Sequence, residues 1–156
     1  MPAITPFLWF DDQAEAAVAF YVSVFPNSKI TRVLRTSSAG PGPEGSVLAI
    51  DFELDGQPVS ALNGGPYQKL TEAFSFMVHA KNQAEVDHYW DVLSQGGQTN
   101  VCGWTKDKFG LSWQIVPDGF LDLMADYDPQ KAAKAMAAMM KMTKLDIAKL
   151  REAVAD

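Results

Sequence analysis

One cysteine, Cys102, is all that the 156-residue chain offers for sulfur chemistry, so no disulfide can close within it, and a reducing cytoplasm is the expected compartment. Histidine is equally scarce. His79 and His88 are nine residues apart, and neither pairs with a carboxylate at ligand spacing, so no histidine-based metal site is expected. No apolar run reaches the roughly 18 residues needed to span a membrane. The opening "MPAITPFLWFDD" lacks the basic segment and cleavage site of an export signal. Positive charge is also short: 13 Lys and Arg stand against 19 Asp and Glu, for a net charge of −6, with no clustered basic face. That argues against nucleic acid, which requires a concentrated basic patch, and against anionic membranes. What the chain does have is 47% hydrophobic residues, enough for one core or for two small modules sharing a core.

Hydrophobic periodicity divides the chain. Residues 4–10 predict a strand despite Pro6, and 13–25 a helix with Asp12 as its N-cap. Residues 29–36 alternate as a strand, and "SSAGPGPEG" is a loop. "SVLAIDFEL" and "QPVSALN" are strands joined by Asp55-Gly56, a type I′ hairpin signal. The pattern then restarts: strand 73–80, helix 82–95, short strand 99–105, a turn at "KDKFG", and strand 111–117. "QAE" occurs at 13–15 and again at 83–85, an offset of 70 that aligns Thr5 with Ser75 and Asp12 with Asn82. Strand, helix and further strands, twice in one chain, indicate an internal βαβββ duplication. After Pro117 come a short apolar helix or turn, an Ala/Met-rich helix over 128–142 entered at Pro129, and an amphipathic helix over 143–156. Thr143 and Asp146 form a capping-box pattern for that last helix.

Most of the chemically suggestive residues have a structural reading. "GPGPEG" matches the letters of a dinucleotide fingerprint, but two prolines remove N–H donors and a strand follows, so it reads as a loop. Cys102 has neither a neighbouring histidine nor a helix N-terminus to activate it, which leaves a buried inert thiol or a pocket-lining one. Met124, Met136, Met139, Met140 and Met142 form a soft apolar surface suited to helix or dimer packing, or to a lid over a hydrophobic ligand.

The duplication, with "FLWFDDQAEAAVAFYVSVFPNSKI", "FELDGQPVSALNGGP" and "CGWTKDKFGLSWQIVP", resembles the PhnB-like, 3-demethylubiquinone methyltransferase-like branch of the vicinal oxygen chelate superfamily, over about residues 3–155. The resemblance implies an α+β fold of paired βαβββ modules, about 4–63 and 73–117, within a domain over 1–126, followed by a C-terminal helical extension over 127–156. It also implies a cup in which a divalent metal is commonly held by one His or Glu from each of four strands. The corresponding positions here are Thr5, Asn63, Ser75 and Gln114. Such hydroxyls and amides neutralise none of a metal's charge, so no metal and no cofactor are expected. Trp9, Trp104 and Cys102 are further candidates to line the pocket, while strand alternation puts Trp113 on the face opposite Gln114.

The expectation is a cytoplasmic protein that binds a small, partly hydrophobic molecule among neutral polar groups, with no catalytic residue assigned and a homodimer implied. The alternatives are an enzyme of the glyoxalase/dioxygenase superfamily, with or without a metal, which includes the methyltransferase activity of the branch name, and a ligand-free structural dimer module.

Overall fold

The computed structural model describes residues 3–155, in two compact units that divide between Leu70 and Thr71. Among the described residues no helix is long and apolar enough to cross a membrane.

In the first unit β1 (Phe7–Phe10) is followed by α1 (Ala14–Val24), β2 (Lys29–Arg35), β3 (Val47–Leu54) and β4 (Gln57–Asn63), in the sheet order β1-β4-β3-β2. β1 runs parallel to β4, and β2, β3 and β4 are antiparallel neighbours. Helix α1 buries Ala14, Ala17, Val18 and Tyr21, while Leu8, Phe10, Ile50, Phe52, Val59 and Ala61 are buried from the strands. Each larger side chain contributes roughly 1.5–3 kcal/mol through burial. The Asp55-Gly56 hairpin is as expected: φ is 47° at Asp55 and 81° at Gly56, the left-handed pair that a type I′ turn requires.

Two local readings are corrected here. The first strand starts at Phe7 and not at residue 4, because Pro6 has no N–H to donate and its carbonyl ends the pairing by accepting from Ser60 N at 2.9 Å. Asp12 is not the cap of α1. Gln13 occupies that position without a side-chain bond, and the free Ala14 N–H is satisfied from β4, by Asn63 Oδ1 at 2.8 Å.

The second unit repeats the plan. β5 (Ser75–Ala80), α2 (Gln83–Ser94), β6 (Gln98–Thr99), β7 (Trp104–Lys106) and β8 (Ser112–Pro117) form a sheet of order β5-β8-β7-β6, again with the first strand parallel to the last. Helix α2 buries Val86, Trp90 and Leu93 on the side of Trp113 and Ile115. It is capped locally: Asn82 accepts from Glu85 N at 2.9 Å, and Glu85 returns a bond to Lys81 N at 2.8 Å. The turn before β8 is organised by the buried Asp107, whose carboxylate accepts from Phe109 N (2.8 Å), Leu111 N (3.1 Å) and Trp113 Nε1 (2.8 Å).

The strand expected over 99–105 is broken in two. Cys102 and Gly103 take φ of 61° and 83°, and their N–H groups donate at 2.8 Å to Met142 O and Thr143 O instead of to a neighbouring strand. The acceptors belong to the C-terminal tail, which contains α3 (Phe120–Met124), α4 (Pro129–Met139) and α5 (Ile147–Val154). Pro129 opens α4, as expected, with Asp128 as its cap, but Asp146 and not Thr143 caps α5, accepting from Lys149 N at 3.0 Å. The tail is fastened by Gln83, which donates to Leu145 O at 3.0 Å and accepts from Ile147 N at 2.8 Å. Its apolar side packs with Val116, Phe120, Leu145 and Leu150, joined by Met77, Met124, Met139 and Met142, while Met136 and Met140 remain exposed.

Candidate functional site

The second sheet has two unlike faces. Trp113 and Ile115 of β8 are buried on the α2 side, so Gln114 between them projects from the other face, with Ser112 and Val116 to either side. β5 pairs with β8 in parallel, setting Ser75 beside Ser112 and Met77 beside Gln114, and β7 sets Trp104 directly across from Gln114. On this face Gln114 Nε2 donates to Ser75 Oγ at 3.0 Å. The tail closes one end, where Met77 and Val116 meet its apolar cluster. At the other end lies a cavity of about 80 Å³ lined by Trp104, Lys106, Ser112, Glu72, Gln98 and Asn100. Ser112 is 2% exposed, and its Oγ is buried with no hydrogen-bond partner. Lys106 Nζ forms an ion pair with Glu72, and that hydrogen bond holds the Glu72 carboxyl below the usual carboxylate range.

The first sheet carries a different polar set on its corresponding face. Phe10 pairs with Asn63 at the end of β1 as Ala80 pairs with Pro117 at the end of β5. Phe7 therefore corresponds to Met77, and its partner Ser60 corresponds to Gln114. Ser60 Oγ donates to Asp51 Oδ1 at 2.7 Å, and Arg32 binds Asp51 Oδ2 through Nε at 2.9 Å and a terminal nitrogen at 2.8 Å. Phe7, Leu34, Ala49 and Leu62 line a cavity of about 260 Å³ with Arg32 and Asp51.

Of the seven candidates, the structure brings Ser75, Gln114 and Trp104 together. Thr5 is exposed, ahead of β1. Asn63 is half-buried, and both ends of its amide are engaged: Oδ1 on Ala14 N, and Nδ2 donating to Val47 O at 3.1 Å. Trp9 donates from Nε1 to Gly65 O at 2.9 Å, and its ring lies so close over Gly64 that a Cβ there would come within 2.4 Å of it. Cys102 is half-buried in the turn that receives the tail. Sequence reading passed over Ser60, Asp51, Ser112, Lys106 and Glu72. For Ser112 the alternation from Gln114 was a usable signal; for Glu72, on a loop, there was none.

A divalent metal is a poor match for these donors. Ser75, Ser112 and Gln114 supply neutral oxygens beside a cationic Lys106, which holds its partner Glu72, and Asp51 on the first face is engaged by Arg32 and Ser60. Among the described residues no three His, Cys, Asp or Glu side chains are grouped so that they could hold a metal ion. The neutral oxygens can instead orient a polar group on a ligand, with Trp104 and Met77 as apolar surface.

The family model described as 3-demethylubiquinone-9 3-methyltransferase matches residues 2–116. Among solved structures, a PhnB protein from Bacillus cereus that carries the same methyltransferase name is 33% identical, with a TM-score of 0.68, over 74% of this chain and 99% of that one. Protein PA1353 from Pseudomonas aeruginosa is 18% identical, with a TM-score of 0.61, over 76% of this chain and 100% of that one. The fosfomycin resistance protein FosX from Listeria monocytogenes is 14% identical, with a TM-score of 0.57, over 78% of this chain and 94% of that one. The last two are similar in fold alone. A search of the curated proteins finds no match.

Proposed function

The chain belongs to the PhnB-like, 3-demethylubiquinone-9 3-methyltransferase family of the vicinal oxygen chelate superfamily, and from that premise we propose that it binds a small, partly hydrophobic molecule without a metal. Its fold is the α+β arrangement of the glyoxalase/bleomycin resistance-like proteins. The observation that carries the proposal is the Gln114–Ser75 pair, held at 3.0 Å on the face away from α2, with Trp104 directly opposite. An amide and a hydroxyl bonded to one another keep a further lone pair and N–H available, so they can orient a ligand carbonyl or hydroxyl while the apolar neighbours desolvate it.

A cytoplasmic location and a homodimer belong to the same proposal. The single cysteine supports the first. Exposed Met136, Met140 and Leu121 on the tail support the second, as apolar surface that a second copy would cover.

The test is a thermal-shift screen of uncharged aromatic and aliphatic carbonyl compounds on the tag-free protein, with elemental analysis of the same sample. We expect hits whose stabilisation is lost in Gln114→Ala, and metal well below one equivalent. Stoichiometric Zn, Ni, Mn or Fe bound through Ser75 and Gln114 would overturn the metal-independent reading in favour of a metal-dependent enzyme.

A further inference from the structure

The cavity beyond the Gln114–Ser75 pair contains two features that the binding reading leaves unused: a buried hydroxyl with no partner, and a lysine held by a carboxylate from a loop. A buried hydroxyl left unpaired is destabilising, so Ser112 Oγ marks a place where a hydrogen-bonding group belongs. Lys106 is its cross-strand neighbour. Paired residues on one face have Cβ atoms roughly 5 Å apart, so both side chains leave the sheet side by side. Both line the 80 Å³ cavity, whose size admits a carboxylate with a short stem but not a whole drug-sized molecule. Trp104, also in the lining, provides the apolar wall and connects the cavity to Gln114.

We infer that this cavity receives the carboxylate of a small organic acid: Ser112 Oγ and Lys106 Nζ bind the two oxygens, and Glu72 occupies Lys106 until the ligand displaces it. The inference rests on the binding reading above and adds the ligand's charge and a built-in competitor. Glu72 suits that role because its side chain is 54% exposed on the segment before β5, where it can swing into solvent, whereas Lys106 is 33% exposed and fixed on a strand. An ion pair with one mobile, solvated partner is weak, so a ligand carboxylate that also satisfies Ser112 outcompetes it. The protein's acidic balance, 19 acidic against 13 basic residues, makes the single lysine of this cavity a selective feature and not a general attraction for anions.

The experiment is an NMR titration of the full-length protein with propionate and with its uncharged isostere propionamide, following the Trp104 indole and Ser112 amide signals. Propionate is expected to shift both, and propionamide to bind roughly tenfold more weakly. Glu72→Gln, at an exposed position, should tighten propionate by about three- to fivefold, Lys106→Met should abolish the preference for the acid, and Lys106→Arg should preserve it. Equal binding of acid and amide, or a Glu72→Gln variant with unchanged propionate affinity, would overturn the inference, as would shifts confined to Arg32 or Arg151. Should Lys106→Met fail to fold, Glu72→Gln and Lys106→Arg still decide. If uncharged ligands perturb Gln114 and Ser75 while propionate perturbs nothing, the binding reading stands and the acid inference falls. If neither class perturbs this face, both fall.

Discussion

The first sheet ends in an eight-residue β3 and a seven-residue β2, whereas the second ends in a three-residue β7 and a two-residue β6. The strand order is the same in both, so topology does not account for the difference. In the second sheet the backbone donors of Cys102 and Gly103 go to the C-terminal tail, and the strand stops where the tail takes over. In the first sheet β2 has all seven residues exposed and, among the described strands, pairs with β3 alone. The polar groups differ in the same way. The first sheet uses a charged relay, Ser60–Asp51–Arg32, where the second uses the neutral Gln114–Ser75 pair. A duplicated fold can therefore keep its hydrogen-bonded frame while each copy reassigns the side chains that the frame presents.

The comparison breaks most sharply at the tail. Leu145 is fully buried in a cluster that only the second unit has. Leu145→Ala should cost about 2–5 kcal/mol in urea unfolding. A loss below about 1 kcal/mol would mean that the tail is not part of the second unit's core.

The two hairpin turns give the next largest contrast. Asp107→Ala removes the acceptor of three N–H groups and should cost roughly 2–4 kcal/mol, while Asp55→Asn, at an exposed residue that tolerates the left-handed conformation, should change stability by less than about 0.5 kcal/mol. Comparable losses at both turns, measured by denaturant midpoints, would contradict it.

Helix capping sharpens the comparison further. Asn63→Ala removes a cap that crosses from β4 to α1, together with a bond to Val47, and should cost about 1–2 kcal/mol; Asn82→Ala removes a local cap and should cost about 1 kcal/mol. Asn63→Ala should also raise amide exchange at Ala14 and at Asn63's partner strand β3, whereas the effect of Asn82→Ala should stay within α2.

The site pair should matter less to stability. Gln114→Ala should cost about 0.5–1.5 kcal/mol, while removing the thermal shift produced by uncharged ligands. Loss of stability without loss of ligand response would make the pair structural.

The smallest effect concerns the tail's surface ion pair, Lys144 with Asp87 at 2.8 Å. The bond from Lys144 lowers the Asp87 carboxyl from its ordinary 3.8, and Asp87 raises Lys144 above its ordinary 10.5. A lowered carboxylate stabilises above its unfolded value and loses that contribution as pH falls through its folded value. A raised lysine stabilises below its unfolded value and loses it as pH rises through its folded value. The stability difference between wild type and Asp87→Asn should thus be flat from roughly pH 5 to pH 9, about 1 kcal/mol or less, and should shrink towards both extremes. A difference that grows towards acid would reverse the sign of the assignment.

Much of this molecule was written in local order. Apolar periodicity and the recurring "QAE" placed both helices and both sheets, Asp55-Gly56 fixed its hairpin, and Pro129 fixed the start of α4, because each depends on residues a few positions apart. Alternation along β8 also separated Gln114 from Trp113. Other features required contacts between distant segments. Asn63 caps a helix 49 residues away, Gln83 fastens backbone groups 62 and 64 residues away, and the tail's carbonyls end the strand at Cys102. The correspondence of Ser60 with Gln114, where the resemblance had set Asn63, rests on strand register, which local sequence does not encode. Sequence determined which segments would be strand or helix, since those preferences are local. Tertiary structure decided which partner each polar group found, since a hydrogen-bonding group pairs with whatever the fold brings within about 3 Å, regardless of its distance along the chain.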